Sequence, residues 1–313
     1  RRPPRSTLFP YTTLFRSVWS QYSRIDITSG TTYFRNQALA AGNAPPPLPI
    51  DGGVLVLGAT NSLNLAGTNR FAPGTSDLAP GLVGGGGQVQ ISGKNILVLA
   101  SDRAVPAGDC VGGSAAGCTD ANNYLVLDAD QISGLGASSV LIGGTAQVIN
   151  GVQNITASAL NLEVLTDAAH PLTGPELLLV SLAGDGALVT GRGLVIGDGS
   201  VVRAVGAVPG GTDRNITIGS LPVKQSDGSY VFASGDGALL RVSNGDTVTV
   251  SRIYVPGQYA GSGPPPSSKV PLGAFSIGAG AIIDGGNALT LDTSGSGTLA
   301  SDAILNARNY DIA

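Results

Sequence analysis

Apolar residues recur at every second position in many short segments of this chain. Gly, Asp, Asn or Ser, the residues that favour turns, follow almost every segment. A period of two is typical of half-buried β-strands. The predicted strands are VLVLG (54–58), QVQIS (88–92), ILVLAS (96–101), YLVLDAD (124–130), LNLEVL (160–165), GLVIGDG (193–199), NITIGS (215–220), TVTVS (247–251) and ALTLD (288–292).

Signals for helices are weak along the whole chain. It holds 47 glycines, and each glycine inside a helix costs about 1 kcal/mol relative to alanine. The best helical candidate is 154–169, but the alternation of LNLEVL within it favours a strand. We therefore predict an all-β protein.

Short strands with frequent turns and few aromatic residues favour a right-handed parallel β-helix, or solenoid, over residues 50–313. Coils of roughly 20 residues would stack about 4.8 Å apart around a narrow aliphatic core, giving on the order of 10–12 coils. A β-sandwich has the same alternation and is the alternative. Sandwiches usually contain larger aromatic anchors, and this chain has one tryptophan.

Proline- and glycine-rich stretches divide the chain. Residues 18–49 are predicted to form an irregular N-terminal segment that ends in the linker APPPLPI. Insertions are predicted near 81–88, 104–122 and 257–271, and we expect these loops at the surface, where binding residues concentrate.

The first 17 residues differ from the rest in composition. TLFPYTTLFRS (7–17) resembles the translation of a common sequencing adapter, so we expect 1–17 to be artefactual and disordered. The chain contains no methionine. We therefore expect the natural N-terminus to lie upstream.

Charge excludes several classes of partner. The net charge is −4, charged residues make up 12% of the chain, and no run of Lys or Arg occurs after residue 17. Nucleic acid and anionic membranes are therefore not expected as partners. No apolar stretch reaches 18 residues, so we predict no transmembrane helix.

The two cysteines, Cys110 and Cys118, lie in the loop GDCVGGSAAGCTD. A disulfide between them is predicted if the protein is exported, and two free thiols are the alternative. A metal site is the least favoured interpretation, because the only histidine is His170.

Candidate catalytic residues are few. His170 precedes a proline at a predicted strand end and has no visible partner for nucleophilic catalysis. Asp128 and Asp130 share a face of YLVLDAD, with Asp102 and Arg103 one strand earlier, as acid–base cleavage of polysaccharides would need. Turn-forming aspartates are the favoured interpretation. We predict no enzyme, no catalytic or metal residue and no cofactor.

Three further motifs do not predict a function. The Asp-Gly dipeptides do not keep the spacing of calcium-binding nonapeptides. The GxGxxA pattern in TSGSGTLA (293–300) is not followed by a predicted helix, so the dinucleotide interpretation fails. The sequons at Asn154 and Asn215 lie in predicted strands, where we expect their side chains to face outward or to form ladders.

Four segments carry a resemblance to a known family: RIDITSGTTYFRNQALAAGN (24–43), IDGGVLVLGATNSLNLAGT (50–68), GGQVQISGKNILVLAS (86–101) and NYLVLDADQISGLGASSVLIGGT (123–145). Through such segments, roughly residues 20–255 resemble filamentous-haemagglutinin-like exoproteins of bacterial two-partner secretion. The resemblance implies an internal fragment of a β-helical stalk, exported through an outer-membrane pore partner to the bacterial surface or medium. The NPNG, NPNL and RGD motifs of that family are absent, so no receptor-binding residue is carried over.

The function expected from this resemblance is adhesion. The fragment would bind a glycan or protein receptor on a host cell or another surface. The alternatives are a polysaccharide-cleaving β-helix enzyme and a purely structural stalk whose adhesive part lies elsewhere.

Overall fold

A computed structural model describes most of the chain. The described residues are 28–45, 49–76, 81–111, 117–119, 122–182, 193–209, 215–219, 223–224, 230–231, 235–253 and 274–307. The chain divides into two compact units, Arg1–Leu48 and Pro49–Ala313. Residues 1–17 and the predicted loop at 257–271 lie outside the described residues.

The described part of the first unit contains a helix, α1 (Gly30–Ala40), within the segment expected to be irregular. Ser29 caps it, because its hydroxyl accepts a hydrogen bond from the backbone N–H of Thr32 at 3.2 Å. The helix runs through GTTYFRNQALA without an internal glycine or proline and is followed by Gly42, whose φ is +71°. The expectation of an irregular segment is therefore wrong for Gly30–Ala40, because the overall abundance of glycine does not apply to this stretch.

The second unit is mostly β, which confirms the all-β prediction. Each strand predicted from the alternating segments overlaps a strand of the structure. In chain order the strands are β1 (Val54–Gly58), β2 (Gln88–Ser92), β3 (Asn95–Leu99), β4 (Cys110–Val111), β5 (Asn123–Asp128), β6 (Ser139–Ile142), β7 (Gly144–Ile149), β8 (Val152–Ala157), β9 (Asn161–Leu165), β10 (Leu172–Gly174), β11 (Glu176–Ser181) and β12 (Gly193–Ile196). They continue with β13 (Val201–Ala204), β14 (Ile216–Ile218), β15 (Val223–Lys224), β16 (Tyr230–Val231), β17 (Ala238–Ser243), β18 (Val250–Arg252), β19 (Ala274–Ile277), β20 (Ile282–Asp284), β21 (Ala288–Thr293), β22 (Ser296–Leu299) and β23 (Ile304–Asn306).

The described strands form four larger sheets and one small pair, β15–β16. Sheet 1 has the order β1-β2-β6-β11-β17-β21, and sheet 2 has the order β22-β19-β12-β9-β3-β5-β4. Sheet 3 is β10-β13-β20-β23, and sheet 4 is β18-β14-β8-β7. All pairings in sheets 2 and 3 are parallel, which differs from the antiparallel layers of the β-sandwich alternative.

The chain visits sheets 1, 2 and 3 in a repeating order. The successive visits are β6, β9, β10; then β11, β12, β13; then β17, β19, β20; then β21, β22, β23. Sheet 4 and the small pair are built from segments inserted between these visits. Because the insertions use much of the chain, the 6-stranded sheet 1 has far fewer strands than the 10–12 coils expected.

An inner core of aliphatic side chains lies where sheets 1, 2 and 3 face one another. Its members stack in register from strand to strand. In sheet 2, for example, Val98 pairs with Val164, and Val164 pairs with Ile196. All three are at most 1% exposed. Aliphatic rows of this kind need no large aromatic side chain, in agreement with the expected core.

A second core lies on the opposite face of sheet 1, beneath sheet 4. Leu141 of β6, Leu178 of β11 and Leu239 of β17 point to this side and pack with Ile155 of β8 and Ile216 of β14. Consequently β6, β11 and β17 are buried along their whole length. Sheet 4 therefore converts sheet 1 from a half-buried into a fully buried layer.

Asparagine side chains also stack between parallel strands at the start of sheet 2. Asn161 Nδ2 of β9 donates to Asn95 Oδ1 of β3 at 2.9 Å. Asn95 Nδ2 in turn donates to the carbonyl of Asn123 in β5 at 3.1 Å. Both Asn95 and Asn161 are buried, so these bonds satisfy amide groups that would otherwise be costly to bury.

Three features differ from the sequence-based expectations. Strand β17 runs antiparallel to both β11 and β21, so sheet 1 is mixed rather than wholly parallel. The segment YLVLDAD does not stay extended, because β5 ends at Asp128 and a short helix, α2 (Ala129–Ser133), begins there. The glycine run near 81–88 is partly interior, since Gly84, Gly86 and Gly87 are buried.

The burial of the glycine run follows from close packing around it. A Cβ atom on Gly84 would overlap the backbone of Ile50, and one on Gly86 would overlap the side chain of Ser138. These glycines therefore allow the chain to pass close to its neighbours, a role for which only glycine is small enough.

Candidate functional site

Side chains that could carry chemistry meet where strands β3, β5 and β9 end. Ser101 follows β3, Asp128 ends β5, Asp130 lies in α2, and His170 lies in the turn after β9. Because these strands are parallel neighbours in sheet 2, their carboxyl ends reach the same edge. We call these four residues the carboxylate cluster.

The cluster is centred on Asp130. Its Oδ2 lies 2.6 Å from Nδ1 of His170 and accepts a hydrogen bond from the Ser101 hydroxyl at 2.6 Å. The same hydroxyl lies 2.9 Å from Oδ1 of Asp128. Asp128 Oδ1 also accepts from the backbone N–H of Gln131, and so caps α2.

These contacts shift the two titrating groups in opposite directions. The hydrogen bond from Ser101, followed by that from His170, lowers the pKa of Asp130 below its ordinary value. The hydrogen bond to Asp130 raises the pKa of His170, and the charges of Asp130, Asp102 and Asp167 act in the same direction. The cluster therefore favours an aspartate–imidazolium pair.

The hydrogen bonds of the cluster converge on Asp130. Ser101 and His170 both bind Asp130 and not each other, so the imidazole does not activate the hydroxyl as a general base would. Asp128 is occupied as a helix cap. Arg103 makes no side-chain hydrogen bond or ion pair within the described residues, and no group of three or more His, Cys, Asp or Glu there could hold a metal ion.

Of the residues predicted from the sequence, the structure brings together Asp128, Asp130 and His170, with Asp102 nearby. Asp128 and Asp130 do not share a strand face, because α2 begins between them. Sequence reasoning missed Ser101, although it ends the predicted strand ILVLAS (96–101) as Asp130 ends YLVLDAD (124–130). The register of the two strands, which the sequence does not show, decides that they meet.

Cys110 and Cys118 are joined by a disulfide, with their Cα atoms 5.7 Å apart. Cys110 belongs to β4, which pairs with β5 at the edge of sheet 2. Val105 of the same insertion packs with Leu97, Leu99 and Tyr124 on the outer face of sheet 2. The described part of the insertion near 104–122 therefore covers part of that face.

A cleft of about 430 Å³ lies beside α2 and β10. Its walls are mostly apolar, and Phe71, Pro73, Ile132, Val140, Pro175 and Pro209 line it. None of the four residues of the carboxylate cluster lies in this cleft. The residues that line the cleft include no acid–base group and no charged side chain.

Sheet 4 carries the two sequons on its outer face. Asn154 of β8 is paired in register with Thr217 of β14, and both alternate with buried inward-facing residues. Asn215 is exposed, and its Oδ1 accepts from the backbone N–H of Thr249 at 3.1 Å. The sequon side chains thus line one polar surface.

No protein-family model, no curated protein and no solved structure matches this chain. Within the part of the chain that the structure describes, no helix is long and apolar enough to span a membrane.

Proposed function

We propose that this chain is a rigid segment of a bacterial surface adhesin that resembles filamentous-haemagglutinin-like exoproteins. The observation that carries the proposal is the repeated passage of the chain through sheets 1, 2 and 3 in the same order. A fold that repeats in this way stacks each winding on the one before. In this proposal the inner core belongs to a right-handed parallel β-helix, since parallel crossovers are right-handed in about 98% of cases.

Several contacts support a stiff stalk. Backbone ladders join neighbouring windings in all three sheets, and aliphatic rows such as Val98, Val164 and Ile196 run across them. The buried amides of Asn95 and Asn161 add side-chain bonds between windings. A chain held by contacts between neighbouring repeats keeps its surface at fixed positions, which suits repeated weak contacts with a large target.

The location outside the cytoplasm is also part of the proposal. The Cys110–Cys118 disulfide supports it, because such bonds persist mainly in exported proteins. Low charge supports contact with neutral surfaces over contact with nucleic acid. The secretion pore and the host receptor remain partners expected from the resemblance alone.

Adhesion can be tested by coating beads with the full chain and measuring their retention on host cells and on glycan-coated surfaces under flow. Beads coated with an inert protein of similar size and charge serve as the control. We expect several-fold greater retention of the beads that carry the chain. If the beads that carry the chain are retained no better than the control beads on every surface, adhesion is contradicted and the purely structural stalk is favoured.

A further inference from the structure

We infer that the outer face of sheet 4 is the adhesive surface and that it binds an uncharged polysaccharide. This inference rests on the proposed function and names the partner. Each of the four strands contributes one polar side chain to a continuous row on this face. The row consists of Gln147, Asn154, Thr217 and Ser251, paired in register from β7 to β18.

The row is flanked by a second pair of hydroxyls. Thr145 of β7 is paired with Thr156 of β8 on the same face. Neighbouring strands lie about 4.8 Å apart, so the row of four side chains is about 14 Å long. Hydroxyl and amide groups are therefore spaced regularly over a strip that spans the whole sheet.

Four side chains of this strip are available to a ligand, whereas the amide of Asn154 already donates to the carbonyl of Val152 at 3.1 Å. Gln147 and Ser251 are exposed. Within the described residues, the side chains of Gln147, Thr156, Thr217 and Ser251 make no hydrogen bond. Each hydroxyl and amide can both donate and accept, as the hydroxyls of a sugar can.

The composition of the strip selects among ligands. The row and its flanking pair contain no Asp, Glu, Lys or Arg. A phosphate or carboxylate ligand would find no cation there, so acidic polysaccharides are disfavoured. Neutral hydroxyl-rich chains match both the charge and the bonding capacity of the strip. Ile149, which is 48% exposed at the end of β7, adds an apolar contact beside it.

Sheet 4 is also held firmly, so that binding need not order it. Its inward residues Ile155, Ile216 and Ile218 are at most 1% exposed and pack on sheet 1. The edge strand β7 is fixed by Gln90 of β2, whose side chain accepts from Ala146 N–H at 2.9 Å and donates to its carbonyl at 3.0 Å. A preformed array loses less entropy on binding than a mobile loop.

The test uses the full chain and a soluble neutral β-glucan, with alginate as the acidic comparison. Affinity is measured by titration at low and high salt. We expect the chain to bind the glucan with little dependence on salt and to bind alginate more weakly. The double variant T156V/T217V removes two hydroxyls while keeping side-chain shape and strand preference.

Each lost hydrogen bond is worth about 0.5–1.5 kcal/mol, so the double variant should bind the glucan at least about fivefold more weakly. T298V, on the exposed strand β22, is the matched control and should bind as the wild type does. Circular dichroism and melting temperature establish that the variants remain folded. An unchanged affinity of T156V/T217V would overturn the inference.

Other outcomes separate the inference from the proposed function. If coated beads adhere to cells but the chain binds only alginate, or no glucan, the surface assignment fails and adhesion stands. Equal bead adhesion by T156V/T217V and the wild type would have the same meaning. If neither beads nor the soluble chain bind any surface, both proposals fail.

Discussion

Nδ1 of His170 lies 2.6 Å from Oδ2 of Asp130, and this contact joins the turn after β9 to helix α2, 40 positions apart in the chain. Ser101 binds the same carboxylate from the turn after β3. The contact therefore ties together the ends of three parallel strands of sheet 2. It also makes the stability of this edge depend on pH.

The pKa of His170 is raised, chiefly by its hydrogen bond to Asp130. The resulting stabilisation is complete below the ordinary value of 6.5 and is lost as pH rises through the higher folded-state value. The pKa of Asp130 is lowered, chiefly by Ser101, so its contribution is present above 3.8 and is lost as pH falls through the lower folded-state value. The pair is thus most stabilising between these two ordinary values.

Because the chain has one histidine, its imidazole resonance needs no assignment. We expect an NMR titration midpoint above 6.5, and a lower midpoint in D130N, which removes the carboxylate charge. D198N, at a neighbouring turn of sheet 2, is the control and should leave the midpoint unchanged. A wild-type midpoint at or below 6.5 would show that the His170–Asp130 bond does not form.

A buried ion pair joins two strands of sheet 1, and we expect its loss to lower the stability of the fold strongly. Arg241 Nε of β17 donates to Glu176 Oε1 of β11 at 2.7 Å, and the side chains are 1% and 6% exposed. Replacing Glu176 by leucine leaves a buried cation and should lower the free energy of unfolding by about 3–5 kcal/mol. Urea denaturation measures the loss.

The double variant E176L/R241L removes both charges and should recover much of that loss. D292N breaks the more exposed pair between Arg252 and Asp292 and should cost about 1 kcal/mol or less. If E176L costs no more than D292N, the carboxylate of Glu176 is solvated and the buried pair is not formed.

Gly86 should tolerate no side chain. A Cβ atom there would overlap Ser138, so G86A should be destabilising by about 1–3 kcal/mol through overpacking. Gly67 has no neighbour within 4 Å of the corresponding position, and G67A should be close to neutral. Thermal unfolding compares the two variants. Partial recovery in G86A/S138G would identify Ser138 as the obstacle, and equal melting temperatures for G86A and G67A would refute the packing.

The disulfide closes a short loop, with a separation of 8 residues between the cysteines. Loop entropy predicts that C110S/C118S lowers the free energy of unfolding by about 2–3 kcal/mol. A reductant should lower the melting temperature of the wild type to that of the double variant and leave the variant itself unchanged. No response of the wild type to reductant would mean that the bond is absent or without effect on stability.

The sequence by itself determined where most strands lie, because side chains on a strand alternate between two faces whatever its neighbours are. VLVLG and QVQIS became β1 and β2 with the predicted bounds. The same local rule identified LNLEVL as a strand, and the 47 glycines, which disfavour helices, led to the all-β class.

Only the tertiary structure decided which strands pair and which second face is covered. Leu141 and Leu178 lie in the continuous apolar runs VLI (140–142) and LLLV (177–180), and sheet 4 is the layer that covers their second face. Gly84 and Gly86 are interior because distant backbone and side-chain atoms close around them. Such contacts depend on residues far apart in the chain, and no local pattern encodes them.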